Sequence, residues 1–269
     1  VSILATLFLI LAVGALPVAA ITGGEEDGDR HPNVGMLITE EIIDGEVVRW
    51  RCSGTLIAPR VFLTAGHCTF NQYAARVWFE NDMANVPDYP EGGVVAIEGT
   101  PITHPKYGWG NHTNHDAHDV GVVILDEAVT CIEPATPPDP DLLGTLKKEG
   151  LLDGGYKEST YFTSVGYGVT RTSWPPAVHD NNKIRMVSES EYFALTKPWL
   201  HLMQRAVFDE SGTCGGDSGG PAFWVEKDGT EILVAVTSWG DGGCAATGFD
   251  YRVDTPEVLE WIYSQFPEE

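Results

Sequence analysis

Basic residues are scarce in this sequence. Its 269 residues include 16 lysines and arginines against 39 aspartates and glutamates, which gives a formal net charge of −23. Nucleic acids and membranes rich in anionic lipid are both bound through basic surfaces. The composition therefore argues against nucleic acid as a partner and against adsorption to an anionic membrane.

Long apolar runs are absent after residue 20. The first twenty residues, VSILATLFLILAVGALPVAA, carry no charge, and polar, glycine-rich sequence follows at once. Val18 and Ala20 suit a signal-peptidase site, so residues 1–20 are predicted to be a signal peptide and the mature protein to be secreted, with no membrane association after cleavage. The alternative is an uncleaved anchor, since about twenty apolar residues can span a bilayer.

Cysteine is limited to five residues, which are Cys52, Cys68, Cys131, Cys214 and Cys244. No pair has the CxxC spacing of a zinc or redox site. Export to an oxidising compartment makes disulfides plausible, and the odd number leaves one thiol over.

Helical periodicity is missing until the end of the chain. Short segments rich in Val, Ile, Thr and aromatic residues are bounded by turn residues, as in VRWRCSGTLIA (48–58), DVGVVILDEAV (119–129) and EILVAVTSWG (231–240). This pattern predicts an antiparallel all-β protein, either a sandwich or a barrel.

A proline-rich, acidic segment, IEPATPPDPD at 132–141, predicts a linker between residues 21–131 and residues 142–269. The final segment, DTPEVLEWIYSQF, predicts a helix because its apolar residues fall on one face. Asp254 or Thr255 can cap that helix, and Pro256 fits its first turn.

The loop TCGGDSGGPAF, 213–223, has a single hydroxyl among small residues, that of Ser218, apart from Thr213 at its start. Glycines allow backbone N–H groups to approach a ligand closely, and the N–H groups of Gly216 and Ser218 could stabilise an oxyanion. A serine is a poor nucleophile unless a base removes its proton, so the loop requires a histidine and a carboxylate that orients it.

The order of residues along the chain restricts the choice of base. GDSGG also fits the nucleophile pattern of α/β-hydrolases, but that fold needs a histidine after the serine, and none occurs after His201. The remaining order is histidine, aspartate, serine, which His67 and Asp119 satisfy. Asp116 is the rival carboxylate; Asp119 is preferred because the apolar strand begins directly after it.

Metal binding has weak support in this sequence. The run HTNHDAHD places His112, His115 and His118 at a spacing of three, but this run lies in a predicted loop. Glu80 and Asp82 form an acidic pair in a loop that could bind calcium, but such pairs are usually only solvated. We expect no metal site and no cofactor.

The motifs TAGHC, DVGVVIL, GDSGGP and SWG occur in that order, with ITGG at 21–24. Together they resemble the chymotrypsin/trypsin-like serine proteases over about residues 21–266. The resemblance implies two six-stranded antiparallel β-barrels, with a C-terminal helix and the active site in the cleft between them.

The resemblance also implies a role for each matching residue. Ser218 would attack the scissile carbonyl, His67 would act as general base and then acid, and Asp119 would orient it. Gly216 and Ser218 would supply the oxyanion hole, and Asp217 would pair with an amino terminus at Ile21. Disulfides Cys52–Cys68 and Cys214–Cys244 are implied, which leaves Cys131 as a buried thiol.

Substrate contacts follow from the same comparison of motifs. Ser238, Trp239 and Gly240 would form an edge strand along which a substrate backbone pairs. The floor of the specificity pocket falls at Gly212, with Thr213 beside it, and Gly240 and Gly248 leave its walls open. An open, uncharged pocket favours a large apolar residue before the cut bond. If Asp250 or Asp241 reaches the pocket, cleavage after Arg or Lys is expected instead.

These observations predict a secreted, monomeric serine endopeptidase that acts on polypeptides and is open to protein protease inhibitors. Because Ile21 follows Ala20 directly, signal peptidase is predicted to release the active amino terminus. The alternative from another functional class is a protease-like binding protein that has lost activity.

Overall fold

The structure, a computed structural model, describes residues 21–108, 116–154, 159–173, 178–181, 183–208 and 210–267. The predicted signal peptide, His112 and His115 lie outside these ranges. Among the described residues, no helix is both long and apolar enough to cross a membrane.

Strand β1, Glu25–Glu26, precedes a first closed barrel of antiparallel strands. These strands run in the order β2-β3-β4-β7-β6-β5 around the barrel. They are β2 (Val34–Ile43), β3 (Glu46–Ala58), β4 (Val61–Thr64), β5 (Ala74–Trp78), β6 (Ile97–Thr103) and β7 (Gly121–Leu125). Leu37, Phe62 and Val77, which come from three of these strands, are fully buried and belong to one core cluster.

The second barrel closes because β8 pairs with both β13 and β11. Its strands run in the order β11-β12-β15-β14-β13-β8 around the barrel, and β1 also pairs with β11. The strands are β8 (Tyr161–Gly166), β11 (Met186–Leu195), β12 (Trp199–Met203), β13 (Pro221–Val225), β14 (Glu231–Gly240) and β15 (Thr247–Arg252), while β9 (Thr170–Ser173) and β10 (Val178–Asp180) form a separate pair. The predicted all-β class with two six-stranded barrels is confirmed.

Three helices accompany the barrels in the described part of the chain. They are α1 (Gly66–Thr69), α2 (Leu142–Lys148) and α3 (Pro256–Ser264). Helix α3 is the predicted C-terminal helix, and it packs Val258, Leu259 and Ile262 against the barrels.

The predicted side-chain cap of α3 is absent. Thr255 occupies the N-cap position without a capping hydrogen bond from its side chain. Asp254 is instead engaged by the guanidinium of Arg252 and by the backbone N–H of Leu143 at the start of α2. The carboxylate thus ties two segments together rather than capping a helix.

Candidate active site

His67 lies on the single turn α1, directly after β4 of the first barrel. The disulfide Cys52–Cys68 fastens this turn to β3, and a side chain at Gly66 would collide with Tyr107 and Val120. The histidine is therefore held on a short, tightly packed turn at the edge of the barrel.

Asp119 lies immediately before β7 and is almost fully buried. Its Oδ2 is 2.9 Å from Nδ1 of His67, and its Oδ1 accepts the backbone N–H of His67 at 2.8 Å. Burial by itself raises the pKa of Asp119, but the charge and hydrogen bonds of His67, together with a hydrogen bond donated by Ser238, hold it below its ordinary value. The carboxylate is thus stabilised as an anion beneath the imidazole.

The rival carboxylate, Asp116, has other partners. It accepts a hydrogen bond from the hydroxyl of Tyr251 at 2.7 Å and another from the backbone of His118. His118 stacks on His104 and lies at the edge of α3, beside Glu257. Asp119, and not Asp116, is the aspartate that the structure brings to His67.

Ser218 comes from the second barrel, in the loop before β13. Its carbonyl oxygen accepts the N–H of Ser53 at 2.8 Å and lies 3.7 Å from Sγ of Cys68, so the serine loop sits against the histidine turn. Among the described residues, the N–H groups of Gly216 and Ser218 have no hydrogen-bond partner. They are the two N–H groups predicted to form an oxyanion hole.

The backbone conformation favours glycine at position 216. Its φ of +98° belongs to the left-handed side of conformational space, whereas the Nε and Nη2 atoms of Arg51, 2.9 Å from a Cβ built there, are the movable end of a flexible side chain. Its carbonyl accepts a hydrogen bond from Ser53 at 3.0 Å, which fixes the plane of that peptide.

Asp217 is fully buried between the backbone N–H groups of Cys214 and Gly168, which donate to it at 2.8 and 2.7 Å. Burial raises its pKa to about 6, against the opposing effect of those hydrogen bonds. Ile21 is also fully buried, and Thr22 pairs with Gly212 through two backbone hydrogen bonds. In the chain as it stands the nitrogen of Ile21 belongs to a peptide bond, so no ammonium is present to pair with Asp217.

A cavity of ≈ 290 Å³ adjoins Ser218. Of the predicted substrate-binding residues, Thr213, Ser238, Trp239 and Gly240 line it. Strand β13 pairs with β14 only as far as Val236, so the end of β14 turns toward this cavity. The ring of Trp239 is stacked on Phe249, 4.0 Å away from ring centre to ring centre, and Phe249 stacks in turn on His201, although neither Phe249 nor His201 lines the cavity.

Gln204 is a cavity residue that the sequence analysis missed. It is 3% exposed, and its Nε2 donates to the carbonyl of Thr247 at 3.3 Å. Its Oε1 would lie 2.1 Å from a Cβ at Gly212 and 3.8 Å from one at Gly248. Gly212 and Gly248 therefore lie behind the lining, and the carboxamide of Gln204 takes the room that a side chain at 212 would need. No motif surrounds Gln204, and only the pairing of β12 with β15 brings it there.

The two aspartates weighed for this pocket behave differently. Asp241 lines the cavity, and its carboxylate accepts the backbone N–H groups of Ala245, Ala246 and Thr247. Asp250 lies outside the lining, and burial raises its pKa to about 7.

Both predicted disulfides, Cys52–Cys68 and Cys214–Cys244, are present. Cys131, predicted to be a buried thiol, is instead exposed, and it lies directly before the proline-rich segment. The acidic pair weighed for calcium is partly used within the protein, since Asp82 accepts hydrogen bonds from Ala84 and Asn85 in its own turn.

Comparison with known proteins finds a matching family and similar proteins. The family model described as Trypsin matches residues 21–262. The chain is 30% identical to a trypsin of Saccharopolyspora erythraea, over 85% of this chain and 89% of that protein. It is 28% identical to the lectizyme of Glossina austeni, over 93% of this chain and 92% of that one.

A solved structure titled HL collagenase superposes with a TM-score of 0.66 at 20% identity, covering 91% of this chain and 97% of that one, and it supports the fold alone. The match of the family model over nearly the whole described chain decides the assignment. The chain belongs to the trypsin family of serine-type endopeptidases.

Proposed function

We propose that this protein is a secreted endopeptidase that cleaves polypeptides through an acyl-enzyme on Ser218, with His67 and Asp119 completing the triad. The observation that carries the proposal is the double contact of Asp119 with the backbone N–H and Nδ1 of His67, on a turn packed against the loop of Ser218. The anionic carboxylate fixes the tautomer in which Nε2 is the basic nitrogen.

The reaction then follows from these groups. Nε2 of His67 takes the proton of Ser218 as Oγ bonds to the scissile carbonyl carbon, and the oxyanion is bound by the N–H groups of Gly216 and Ser218. His67 returns the proton to the leaving amine, and water hydrolyses the acyl-enzyme by the same route. The substrate backbone pairs with Ser238–Gly240 as an added strand.

The pocket supports a large, uncharged residue before the cut bond. The neutral carboxamide side chain of Gln204 is among its lining groups, and the ring of Trp239, which is stacked on Phe249, gives it an apolar face. The carboxylate of Asp241 is occupied by three N–H groups of its own loop, and Asp250 lies behind the lining. These features favour Phe, Tyr or Leu over Arg or Lys.

Activation is proposed to begin with cleavage after Ala20. The ammonium released at Ile21 would then pair with Asp217, whose buried carboxylate accepts the backbone N–H groups of Cys214 and Gly168. The pairing of Thr22 with Gly212 and the burial of Ile21 support this, since the segment already lies in the second barrel. Mass spectrometry of the secreted protein should give a chain that starts at Ile21, and any other start contradicts this route.

A peptide panel tests the proposed function. The protein beginning at Ile21 is assayed on peptides that differ only before the bond, with Phe, Tyr, Leu, Ala, Arg or Lys there, and Ser218→Ala serves as the blank. Fast cleavage after Phe, Tyr or Leu supports both the triad and the uncharged pocket. Cleavage after Arg or Lys keeps the triad and assigns the pocket charge to Asp241 or Asp250. Rates equal to the blank, with no labelling by a serine-reactive phosphonate, indicate the binding protein.

A further inference from the structure

One cation lies beside the proposed oxyanion loop of a protein whose net charge is −23. The guanidinium of Arg51 lies over Gly216, close enough that Nε and Nη2 would each be 2.9 Å from a Cβ at that position. Its positive charge also lowers the pKa of Asp217, although burial dominates that carboxyl.

Arg51 keeps part of its hydrogen-bonding capacity unused. Nη1 donates to Oδ1 of Asn181, at the end of β10. Within the described part of the chain, Nε and Nη2 have no acceptor and the guanidinium forms no ion pair. Arg49, two residues earlier on β3, differs in that it is paired with Glu40 at 2.9 Å and with Glu91 at 3.2 Å.

The position of Arg51 relative to Ser218 indicates which half of a bound substrate it would contact. The cavity for the residue before the cut bond lies on one side of Ser218, and Arg51 is not among its lining residues. The backbone N–H of Ser53 donates to the carbonyl of Ser218, and Arg51, two positions before Ser53 on β3, lies against Gly216. Arg51 thus adjoins the loop of Ser218 outside the cavity, the part of the site that is left for the leaving half of a peptide whose other half fills the cavity.

We propose that Arg51 selects for an acidic side chain in the first two residues after the cut bond. The carboxylate would accept hydrogen bonds from the unused Nε and Nη2, an arrangement that suits the planar guanidinium. This inference rests on the proposed endopeptidase function, since it concerns the leaving half of the same substrate.

The test is a cycle of two peptides and two proteins. The peptides are identical up to the cut bond and carry either Asp or Asn at the first or the second position after it. The value of kcat/KM is measured on each peptide for the native protein and for Arg51→Gln. The ratio of Asp to Asn peptide within each protein removes the general repulsion between an acidic peptide and an acidic protein. Arg49→Gln is the matched control, and Arg51→Lys retains the charge without the planar fork.

The native protein is expected to prefer the Asp peptide about fivefold at one of the two positions, the upper end for a partly exposed ion pair. Arg51→Gln should bring the ratio close to one, Arg51→Lys should keep part of it, and Arg49→Gln should leave it unchanged. Equal cleavage of both peptides by the native protein, or a preference that survives in Arg51→Gln, overturns the inference while the function stands. Rates no faster than Ser218→Ala on every peptide overturn both.

Discussion

Buried carboxylates have cationic partners at the seam between the two barrels, whereas inside the second barrel their partners are mainly uncharged groups. At the seam, Asp119 is held by His67, and Asp27 is held by both Arg185 and His31. In the second barrel, Asp217 accepts backbone N–H groups and feels only the smaller effect of the charge of Arg51, and Asp250 has a threonine neighbour. The pKa values follow this division, since those of Asp119 and Asp27 are lowered, while burial raises those of Asp217 and Asp250 to about 6 and about 7.

This difference separates two uses of a buried acid. A carboxylate with a cationic partner is an anion at neutral pH and orients that partner, as Asp119 does for His67. A carboxylate without one holds its proton more tightly and has room for a cation that arrives later, as proposed for Asp217 and the amino terminus at Ile21. Removal of the charge should therefore have opposite consequences in the two regions.

The largest effect is expected at Asp119. Asp119→Asn keeps the shape but offers Nδ1 of His67 an amide, which disfavours the tautomer needed for general-base catalysis. We expect kcat to fall about 10,000-fold with the fold intact. Steady-state kinetics on the best peptide of the panel gives this number.

Asp116→Asn is the matched control for that experiment, because Asp116 is three residues away and bonds to Tyr251 rather than to His67. Its kcat should stay within a few-fold of the native value. An Asp119→Asn protein with nearly native kcat would remove Asp119 from the triad.

A large effect on stability is expected at Asp27. Its carboxylate contacts the buried guanidinium of Arg185 at 2.8 Å, and the ring of His31 on its other side also contacts Glu231 at 3.0 Å. Asp27→Asn leaves the buried guanidinium of Arg185 without a carboxylate and His31 with Glu231 alone, and it should cost about 3–5 kcal/mol in the free energy of unfolding. Denaturant titration of the Ser218→Ala protein, with and without the change, measures this without autolysis.

Both pH and a control variant sharpen the test at Asp27. Burial raises the pKa of Asp27, but His31 and Arg185 outweigh it and leave the pKa below 3.8, so its contribution is complete above that pH and is lost on acidification. The difference in the free energy of unfolding between the native and Asp27→Asn proteins should shrink in acid.

Glu25→Gln is the control variant. It removes an exposed pair with Arg30 and should change the free energy of unfolding by less than about 1 kcal/mol. Equal losses for the two variants would contradict the distinction.

The sequence allowed the all-β class and the candidate triad to be predicted because both depend on local strings. Val-, Ile- and Thr-rich segments mark strands, and His67, Asp119 and Ser218 each lie inside a short motif that requires neighbouring small or apolar residues. The sequence did not indicate Gln204 or Arg51. Gln204 directly follows β12 and Arg51 lies on β3, and only the register of β12 with β15 and the close approach of β3 to Gly216 place them at the site.

Other differences between the sequence predictions and the structure also have simple physical causes. Helix α2 has seven residues, too few for an apolar period to stand out. Asp254 was expected to cap α3, but a long-range partner, Arg252, competes for the same carboxylate. Cys131 was assumed to be buried because thiols usually are, yet nothing in its surrounding sequence predicts a core.

An effect of opposite sign is expected at Asp250. Its folded pKa of about 7 exceeds the ordinary value of 3.8, so the folded chain keeps a proton that the unfolded chain releases between those values. The native free energy of unfolding should therefore fall by about 1 kcal/mol for each pH unit between 4 and 7 through this group alone. Asp250→Asn removes that slope, and it should be more stable than the native protein at pH 8 and no more stable at pH 4.

Asp241→Asn is the matched comparison for that experiment. Burial raises the pKa of Asp241, but the N–H groups of Thr247, Ala245 and Ala246 outweigh it and lower the pKa. Its replacement should destabilise the protein at pH 8 and matter less in acid. Unfolding of both variants in the Ser218→Ala background at pH 4, 6 and 8 gives the two slopes. Slopes of the same sign would mean that Asp250 has a cationic partner in solution, and the contrast between the seam and the second barrel would then fail.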